Sequence, residues 1–359
     1  MNKNKNSFSL ENNINKNYFN NNLYSADKML TNKSIKNIYR NLDYKKNTFN
    51  VLSDNFLLDF NKSNLKYFKK YNTIVIIGMG GSILGAKAMY SFLKQKIKKN
   101  FLFLDNLDQL KIEQTKKQYN LKKSLFIIIS KSGNTIETLI NCNLLKDKIS
   151  NKNTIIITEK KKNPLNILAK KKKILHISHK DYLGGRYSVL SEVGMVPAHF
   201  MGLKINDLRK NLLRFFDANQ RFILSQNVVK LAHIYNLKKI KSIILLNYAP
   251  QLNDFLYWCQ QLIAESLGKK GKGIIPVVSN APRDHHSLMQ LYLDGPKDKL
   301  FYIFSLDLKK KMKINDNIFG KAFDFIANKE LSKVIESQKK GLIKVLKRKN
   351  FPYREFNIN

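Results

Sequence analysis

The sequence predicts an α/β fold in which parallel strands and helices alternate within two domains. From residue 73 onward, stretches with helical spacing separate short, continuous apolar runs: Ile74–Ile77, Phe101–Leu104, Leu125–Ile129 and Ile155–Ile157. Such runs are typical of strands buried on both faces, and their alternation with helices indicates a parallel sheet with right-handed crossovers. The length of 359 residues exceeds the size at which one hydrophobic core usually divides, so two domains are expected.

A second series of apolar runs supports the second domain: Ser242–Leu246, Ile274–Val278 and Leu300–Ser305. Two glycines at 184–185 interrupt the first series, and helical spacing then continues to about residue 236. We expect a first domain over residues 71–200 and a second over 201–359, with a helical C-terminal segment from about Asn317 to Pro352. Residues 1–70 are rich in Asn and Lys and lack a clean periodicity, which predicts a helical or partly disordered segment.

The composition favours a folded protein inside the cell. A hydrophobic content of 43% is enough for substantial cores and argues against disorder. Two cysteines cannot form a disulfide framework, and both lie in apolar sequence, so Cys142 and Cys259 are expected to be buried thiols. The chain begins without a signal-peptide pattern and has no apolar run of about 20 residues. We therefore expect a soluble, cytoplasmic protein without a membrane partner.

The formal net charge of +39 raises the question of nucleic-acid binding. Only eight of the 65 basic residues are arginine, the side chain best suited to bidentate contacts with phosphates and bases. The lysines are spread along the chain together with Asn and Ile, which suggests AT-rich coding as the origin of the charge. No specific nucleic-acid partner is expected, and tight, sequence-selective binding in a salt-dependent gel shift would contradict this.

The first candidate motif is Gly-Met-Gly-Gly-Ser-Ile-Leu-Gly at residues 78–85, directly after a predicted strand. Glycines allow a tight turn and a close approach of the backbone to a ligand at the start of the next helix. The spacing does not match the dinucleotide-binding pattern. A tight turn without a ligand explains this motif equally well.

The second candidate motif is Ser-Lys-Ser-Gly-Asn-Thr-Ile-Glu at residues 130–137, again after a strand. Hydroxyls, backbone N–H groups and the positive end of a helix together form a suitable site for a phosphate. Asn134 and Glu137 also have the spacing of an N-cap and its capping-box partner, which is the alternative interpretation. Capping alone leaves Ser130, Lys131 and Ser132 unexplained. Both motifs lie beyond the C-terminal ends of strands, where open α/β sheets bind ligands.

Four further residues carry groups that can take part in chemistry. Arg186 follows two glycines, so a fixed cation can project where the backbone approaches a substrate closely. Glu265 ends an otherwise apolar helical stretch, and a partly desolvated carboxylate suits a general base. His285 and His286 form a pair that opens a helical segment. A surface arginine, a paired glutamate and helix-capping histidines are the alternative interpretations. No spacing of Cys and His suggests a metal site, and no cofactor is expected.

In this order, the motifs resemble those of the phosphoglucose isomerase family, which has two SIS-type (phosphosugar-binding) domains. Gly81 and Ser82 resemble its first phosphosugar loop, and Glu137 stands at its acidic position. The family's phosphate loop is matched by Ser130, Lys131, Ser132 and Thr135. Its Gly-Gly-Arg-Tyr-Ser run stands at 184–188 and includes Gly185. The resemblance covers about residues 70–350.

The same resemblance extends to the groups that carry the chemistry. Glu265 matches the family's catalytic glutamate, and His286 matches its ring-opening histidine. His285 stands where the family usually has Gln, and residues 292–296 resemble the family's bacterial, transaldolase-fused branch.

The resemblance implies interconversion of glucose 6-phosphate and fructose 6-phosphate through a cis-enediol, without metal or nucleotide. His286 would assist opening of the sugar ring, and Glu265 would move a proton between C2 and C1. Arg186 would stabilise the charge that develops on the enediolate oxygens. Family members are homodimers in which the histidine comes from the neighbouring subunit, so a homodimer is expected.

One departure from the family concerns the end of the sequence. The family has a C-terminal segment rich in Gln, Pro and Gly that delivers an active-site lysine, and no matching motif is found before Asn359. We expect this difference to affect ring opening. A non-catalytic sugar-phosphate sensor on the same fold is the alternative function, and isomerisation of another sugar phosphate such as mannose 6-phosphate is a related one.

Overall fold

The computed structural model describes residues 8–14, 18–44, 46–216, 218–308, 312–315 and 318–358. Within these residues the strands are β1 (Phe8–Asn13), β2 (Thr73–Ile77), β3 (Asn100–Leu104), β4 (Ser124–Ile129), β5 (Thr154–Thr158), β6 (Leu175–Ser178), β7 (Ser242–Asn247), β8 (Ile275–Asn280), β9 (Lys299–Leu306) and β10 (Tyr353–Ile358). The seven strands predicted from apolar runs are confirmed as β2–β5 and β7–β9.

Helices connect most of these strands. They are α1 (Asn21–Arg40), α2 (Lys62–Leu65), α3 (Leu84–Leu93), α4 (Gln109–Gln118), α5 (Ile136–Leu144), α6 (Pro164–Lys171), α7 (Glu192–Phe200), α8 (Ile205–Arg209), α9 (Ala218–Asn236), α10 (Asn253–Leu267), α11 (Met289–Asp294) and α12 (Leu331–Arg348). Over the described part of the chain, no helix is long and apolar enough to cross a membrane.

The chain divides into two compact units. The central unit comprises Lys33–Leu224 and Tyr257–Leu262. The terminal unit, named for the two chain ends it contains, comprises Met1–Asn32, Ser225–Leu256 and Ile263–Asn359. The sequence-based domain ranges, 71–200 and 201–359, stay a prediction.

The sheet of the central unit is parallel throughout, with the strand order β3-β2-β4-β5-β6. Alternate residues of each inner strand enter different hydrophobic clusters. In β2, Ile74 and Ile76 pack into one cluster, whereas Val75 and Ile77 pack into the other. Because both faces of the sheet are buried by helices, the strands are continuously apolar, and this explains why the sequence revealed them.

The sheet of the terminal unit has the order β1-β10-β9-β7-β8. Its three parallel pairings repeat the central pattern, because the first strand of the series, β7, lies between the second and the third, as β2 does. Strands β7–β10 are parallel, and β1 is added antiparallel at the edge against β10. The prediction of two parallel sheets flanked by helices is confirmed, apart from this one edge strand.

Several local predictions need correction at the ends of the chain. The N-terminal segment contains the helices that were expected, but Phe8–Asn13 forms a strand, and residues 1–7 lie outside the described residues. The C-terminal helix begins at Leu331, well after Asn317, because the residues before it form turns and a short 3-10 helix.

The two cysteines differ in burial. Cys142 is buried as predicted, whereas Cys259 is half-buried, and both are free thiols.

Candidate functional site

The central sheet has a topological switch point at β2. The chain leaves β2 for β3 on one side and later returns to β4 on the other. In open parallel sheets a crevice forms at such a point, outside the carboxyl ends of the strands. The two sequence motifs follow β2 and β4 directly, so the topology places both of them at this crevice.

The glycine loop after β2 is packed too tightly to accept side chains. Gly80 has a φ of +51°, and a Cβ there would lie 2.8 Å from Nε2 of Gln261. A Cβ on Gly81 would lie 2.2 Å from the carbonyl carbon of Gly185. The loop carrying Gly81 and Ser82 is therefore held in direct backbone contact with the loop that carries Arg186.

The loop after β4 is organised by its own hydroxyls. Oγ of Ser130 lies 2.8 Å from Oγ1 of Thr135, and the N–H of Gly133 donates to Oγ of Ser130 at 3.2 Å. Ser130 is buried, while Ser132 and Thr135 are half-buried. Gly133 has a φ of +70°, which closes the turn. The hydroxyl cluster predicted from the sequence is thus brought together at the start of α5.

The predicted capping box in this loop was wrong. The N-cap of α5 is Thr135, which makes no side-chain capping hydrogen bond, and the exposed Asn134 is part of the turn before it. The N–H of Asn134 donates to Oγ of Ser132 at 3.5 Å. Glu137 lies half-buried in the first turn of α5, where the helix dipole favours a carboxylate.

Lys131 is engaged by neighbouring protein groups. Its Nζ donates to the carbonyl of Asp181 at 2.6 Å and lies 3.8 Å from Oε1 of Glu159. Asp181 precedes the Gly184–Arg186 segment by three residues, so the Lys131 side chain links the loop after β4 to the segment that carries Arg186. A direct contact of Lys131 with substrate stays a prediction.

Arg186 lies in a short 3-10 helix, Gly185–Leu190. Its guanidinium carbon is 4.5 Å from the centre of the Tyr187 ring. Trp258 Nε1 donates to the carbonyl of Arg186 at 3.3 Å, and Oγ of Ser188 donates to the carbonyl of Gly185 at 2.6 Å. These contacts fix the backbone of a half-buried arginine beside the glycine loop.

In the terminal unit, the loops after β7 and β8 meet through a hydrogen bond between Tyr248 and His285. The tyrosine oxygen lies 2.7 Å from Nε2 of His285. Burial raises the pKa of Tyr248, and burial together with the neighbouring His286 lowers the pKa of His285. Both directions favour a neutral pair in which the Tyr248 hydroxyl donates to the imidazole of His285.

Asp284 anchors the segment that presents His286. Its buried carboxylate accepts hydrogen bonds from Oγ of Ser279 at 3.0 Å and from the N–H of Asn280 at 2.7 Å. Nε of Arg283 donates to the other oxygen at 2.8 Å. Burial acts to raise the pKa of Asp284, but these hydrogen bonds outweigh it and hold the pKa below its ordinary value. The His286 side chain, two residues after Asp284, is exposed.

Glu265 lies in the last turn of α10, and its side chain is exposed. The expectation of a partly desolvated carboxylate is therefore wrong for the single chain. The apolar residues of α10, such as the buried Leu256, suggested that the whole helix is buried, but the Glu265 side chain is not.

The structure thus brings together one group of the predicted residues, all in the central unit: Gly81, Ser82, Ser130, Lys131, Ser132, Thr135, Glu137, Gly185 and Arg186. Glu265 and His286 belong to the terminal unit. Sequence reasoning missed Tyr248 and Asp284, although the position of Asp284 directly before two histidines was an available signal. Among the described residues, no cluster of three or more His, Cys, Asp or Glu side chains could hold a metal ion.

Comparisons with known proteins point to one family. The family model described as phosphoglucose isomerase matches residues 55–278. Glucose-6-phosphate isomerase of Methanocaldococcus jannaschii is 35% identical over 315 residues, which is 85% of this chain and 77% of that protein. The enzyme of the same name from Campylobacter jejuni is 34% identical over 278 residues, covering 73% of this chain and 67% of that protein.

Two solved structures share the fold. A hypothetical protein from Thermus thermophilus superposes with a TM-score of 0.81 at 21% identity, covering 98% of this chain and 88% of that one. A glucose-6-phosphate isomerase from Chlamydia trachomatis gives 0.71 at 16% identity, covering 98% and 79%. The two sheets and the loops at their switch points define an α/β protein of the phosphosugar-binding SIS class. Within that class, the chain belongs to the phosphoglucose isomerase family.

Proposed function

We propose that this protein is an aldose–ketose isomerase that interconverts glucose 6-phosphate and fructose 6-phosphate through a cis-enediol. The observation that carries the proposal is the hydroxyl-rich loop at the switch point of the central sheet, packed beside the loop of Arg186, in a chain of the phosphoglucose isomerase family. Relatives named glucose-6-phosphate isomerase support the choice of substrate.

The phosphate of the substrate is bound by the loop after β4. Ser130, Ser132 and Thr135 provide hydroxyls, and the N-terminus of α5 adds N–H groups and a positive dipole end. Gly81, Ser82 and Gly185 line the approach of the sugar, and a Cβ on Gly81 would collide with the carbonyl carbon of Gly185. Lys131 and Glu137 complete the loop. Binding the non-reacting phosphate fixes the orientation of the sugar at C1 and C2.

The chemistry requires four proton transfers, one in ring opening and three along the open chain. His286 moves the proton between the ring oxygen and the C1 hydroxyl, which opens the ring to the aldehyde. Glu265 removes the proton from C2 of the open-chain aldose, and the O1 and O2 oxygens share the developing negative charge. Arg186 stabilises that charge, and Glu265 then returns the proton to C1 while the proton on O2 moves to O1, giving the ketose.

The direct test is a coupled assay of fructose 6-phosphate conversion by the full chain and by Glu265→Gln. We expect the substitution to lower kcat by about 10²–10⁴-fold, the usual contribution of a general base. Glu113→Gln, which changes an exposed carboxylate on α4, is the matched control. Thermal stabilisation of the wild type by fructose 6-phosphate without any turnover would contradict the proposal and favour the sensor.

The proposal includes a cytoplasmic homodimer. Glu265 and His286 are exposed in the single chain, whereas acid–base groups of isomerases act in sites that exclude water, and a second subunit can supply that cover. Free Cys142 and Cys259 fit a reducing compartment.

The test of the dimer mixes Glu265→Gln with His286→Asn. If each site uses residues of both subunits, mixed dimers regain part of the wild-type activity. If mixtures stay inactive although the two variants exchange subunits, shared sites are ruled out.

A further inference from the structure

The turn between β5 and α6 lies directly behind the phosphate loop and holds its backbone. The carbonyl of Lys131 accepts two hydrogen bonds from this turn, one from Oγ1 of Thr158 at 3.2 Å and one from the N–H of Glu159 at 3.1 Å. The carbonyl of Gly133 accepts a third, from the N–H of Leu165 at 3.2 Å. Two of the loop's carbonyls are therefore directed toward the turn.

Asn163 organises this turn from the inside. Its buried amide donates to Oγ1 of Thr158 at 3.3 Å and to the carbonyl of Lys161 at 3.1 Å, while its oxygen accepts the N–H of Asn166 at 2.8 Å. The same side chain packs against the phosphate loop, because a Cβ on Gly133 would lie 2.0 Å from Oδ1 of Asn163. Asn163 thus fixes both the hydroxyl of Thr158 and the path of the loop.

Anchoring a carbonyl also sets the direction of the next N–H group. In a trans peptide the C=O and N–H bonds point in opposite directions. With the carbonyls of Lys131 and Gly133 held by the turn, the N–H groups of Ser132 and Asn134 point away from it. The N–H of Asn134 reaches Oγ of Ser132, and that of Ser132 has no hydrogen-bond partner among the described residues.

We propose that Thr158 and Asn163 are positioning residues that aim the backbone N–H groups of the phosphate loop at the substrate's phosphate. Neither side chain needs to touch the substrate. Thr158 holds the Lys131–Ser132 peptide, and Asn163 holds Thr158 in place. The inference rests on the proposed function for its ligand, a sugar phosphate, while the geometry applies to any phosphate monoester bound by this loop.

The test compares Thr158→Val with Thr154→Val. Both hydroxyls are fully buried on β5, but that of Thr154 donates to Asn153 at 3.2 Å and does not bond the loop. We expect Thr158→Val to raise the KM for fructose 6-phosphate about fivefold with kcat within twofold, since one oriented hydrogen bond is lost. The inhibition constant of inorganic phosphate should rise in parallel. Thr154→Val should leave both constants unchanged.

Conservative variants separate positioning from folding. Thr158→Ser keeps the hydroxyl and should restore the wild-type KM. Asn163→Asp keeps the oxygen that caps α6 but loses the donated hydrogen bonds, and it should raise KM as Thr158→Val does. Equal KM values for Thr158→Val and wild type, or a loss of kcat at unchanged KM, would overturn the inference.

A readout that needs no turnover distinguishes this inference from the proposed function. Inorganic phosphate should raise the melting temperature of the wild type more than that of Thr158→Val. If phosphate stabilises the wild type more than Thr158→Val but the wild type isomerises nothing, the proposed function fails while the positioning role stands. If phosphate raises the melting temperatures of the wild type and of Thr158→Val equally, the positioning role fails, whatever the activity.

Discussion

The two sheets share one strand order but present different side chains at equivalent places. In the central sheet, β4 ends in a loop of serines, a glycine and a threonine that bond to one another. In the terminal sheet, β9 holds the equivalent position, and the chain continues with Asp307, whose N–H donates to the carbonyl of Ile358 in the neighbouring strand β10. The strand order supplies the place for a ligand, and the loop sequence decides whether a phosphate can be bound there.

The two units also differ in how their candidate residues are held. The predicted binding residues of the central unit are buried or half-buried, and a second layer of hydrogen bonds holds their loops. Glu265 and His286 in the terminal unit are exposed, and the segment of His286 is fixed through its neighbour Asp284. Substitutions in the central unit should therefore act mainly on KM, and those in the terminal unit mainly on kcat.

Arg186 sharpens this comparison, because it lies in the central unit but is proposed to stabilise the developing charge. We expect Arg186→Met to lower kcat by roughly 10²–10³-fold, the usual loss when one electrostatic stabiliser is removed. KM should change little. Arg186→Lys, which keeps the charge but not the planar guanidinium, should recover part of the rate. Steady-state kinetics showing only a raised KM would assign Arg186 to binding.

Asp284 tests the terminal unit. Asp284→Asn weakens the hydrogen bonds from Arg283 and from the N–H of Asn280, so the His286 segment should lose its fixed position. We expect kcat to fall about tenfold with a small change in KM. Asp294→Asn, at an exposed carboxylate of the same unit, is the control. A rise in KM alone would break the proposed division between the units.

Thr135 tests the central unit. Thr135→Val removes the hydrogen-bond partner of the Ser130 hydroxyl and a proposed hydrogen-bond donor to the substrate's phosphate, so KM should rise about fivefold at unchanged kcat. Thr138→Val changes a buried hydroxyl one turn further along α5 and should leave KM as it is. Equal effects of both variants would show that the loop hydroxyls do not contact the phosphate.

The substitution Glu192→Gln should have the smallest effect, and it should change only the stability of the fold. Burial, reinforced by the charge of Asp59, raises the pKa of this fully buried carboxyl, despite the hydrogen bond from the N–H of Asp59. Because the folded state holds the proton more tightly than the unfolded state, stability falls as pH rises from about 4.3 through the raised pKa. Glu192→Gln should melt about 3 °C above wild type at neutral pH and equal it near pH 4.

If the difference in melting temperature between wild type and Glu192→Gln stays constant with pH, the pKa of Glu192 does not change on folding. The kinetic constants of Glu192→Gln should equal those of wild type.

The sequence revealed the strands that form continuous apolar runs, including the edge strands β3 and β8, and missed β1, β6 and β10. Phe8–Asn13 and Tyr353–Ile358 carry several polar residues, and β6 includes His176, so none of the three stands out as an apolar run. Hydroxyl-rich and glycine-rich loops were predictable because their residue types are unusual. The roles of Thr158 and Asn163 were not, since their contacts cross more than 25 residues of sequence to reach Lys131 and Gly133.

The most direct test of proton transfer by Glu265 is NMR of fructose 6-phosphate incubated with the protein in D₂O until the hexose phosphates equilibrate. An enediol pathway exposes the transferred proton to solvent on Glu265, so deuterium should appear at C2 of glucose 6-phosphate and at C1 of fructose 6-phosphate. Glu265→Gln should abolish the incorporation. Equilibration without any deuterium, or incorporation that Glu265→Gln leaves unchanged, would contradict Glu265 as the base.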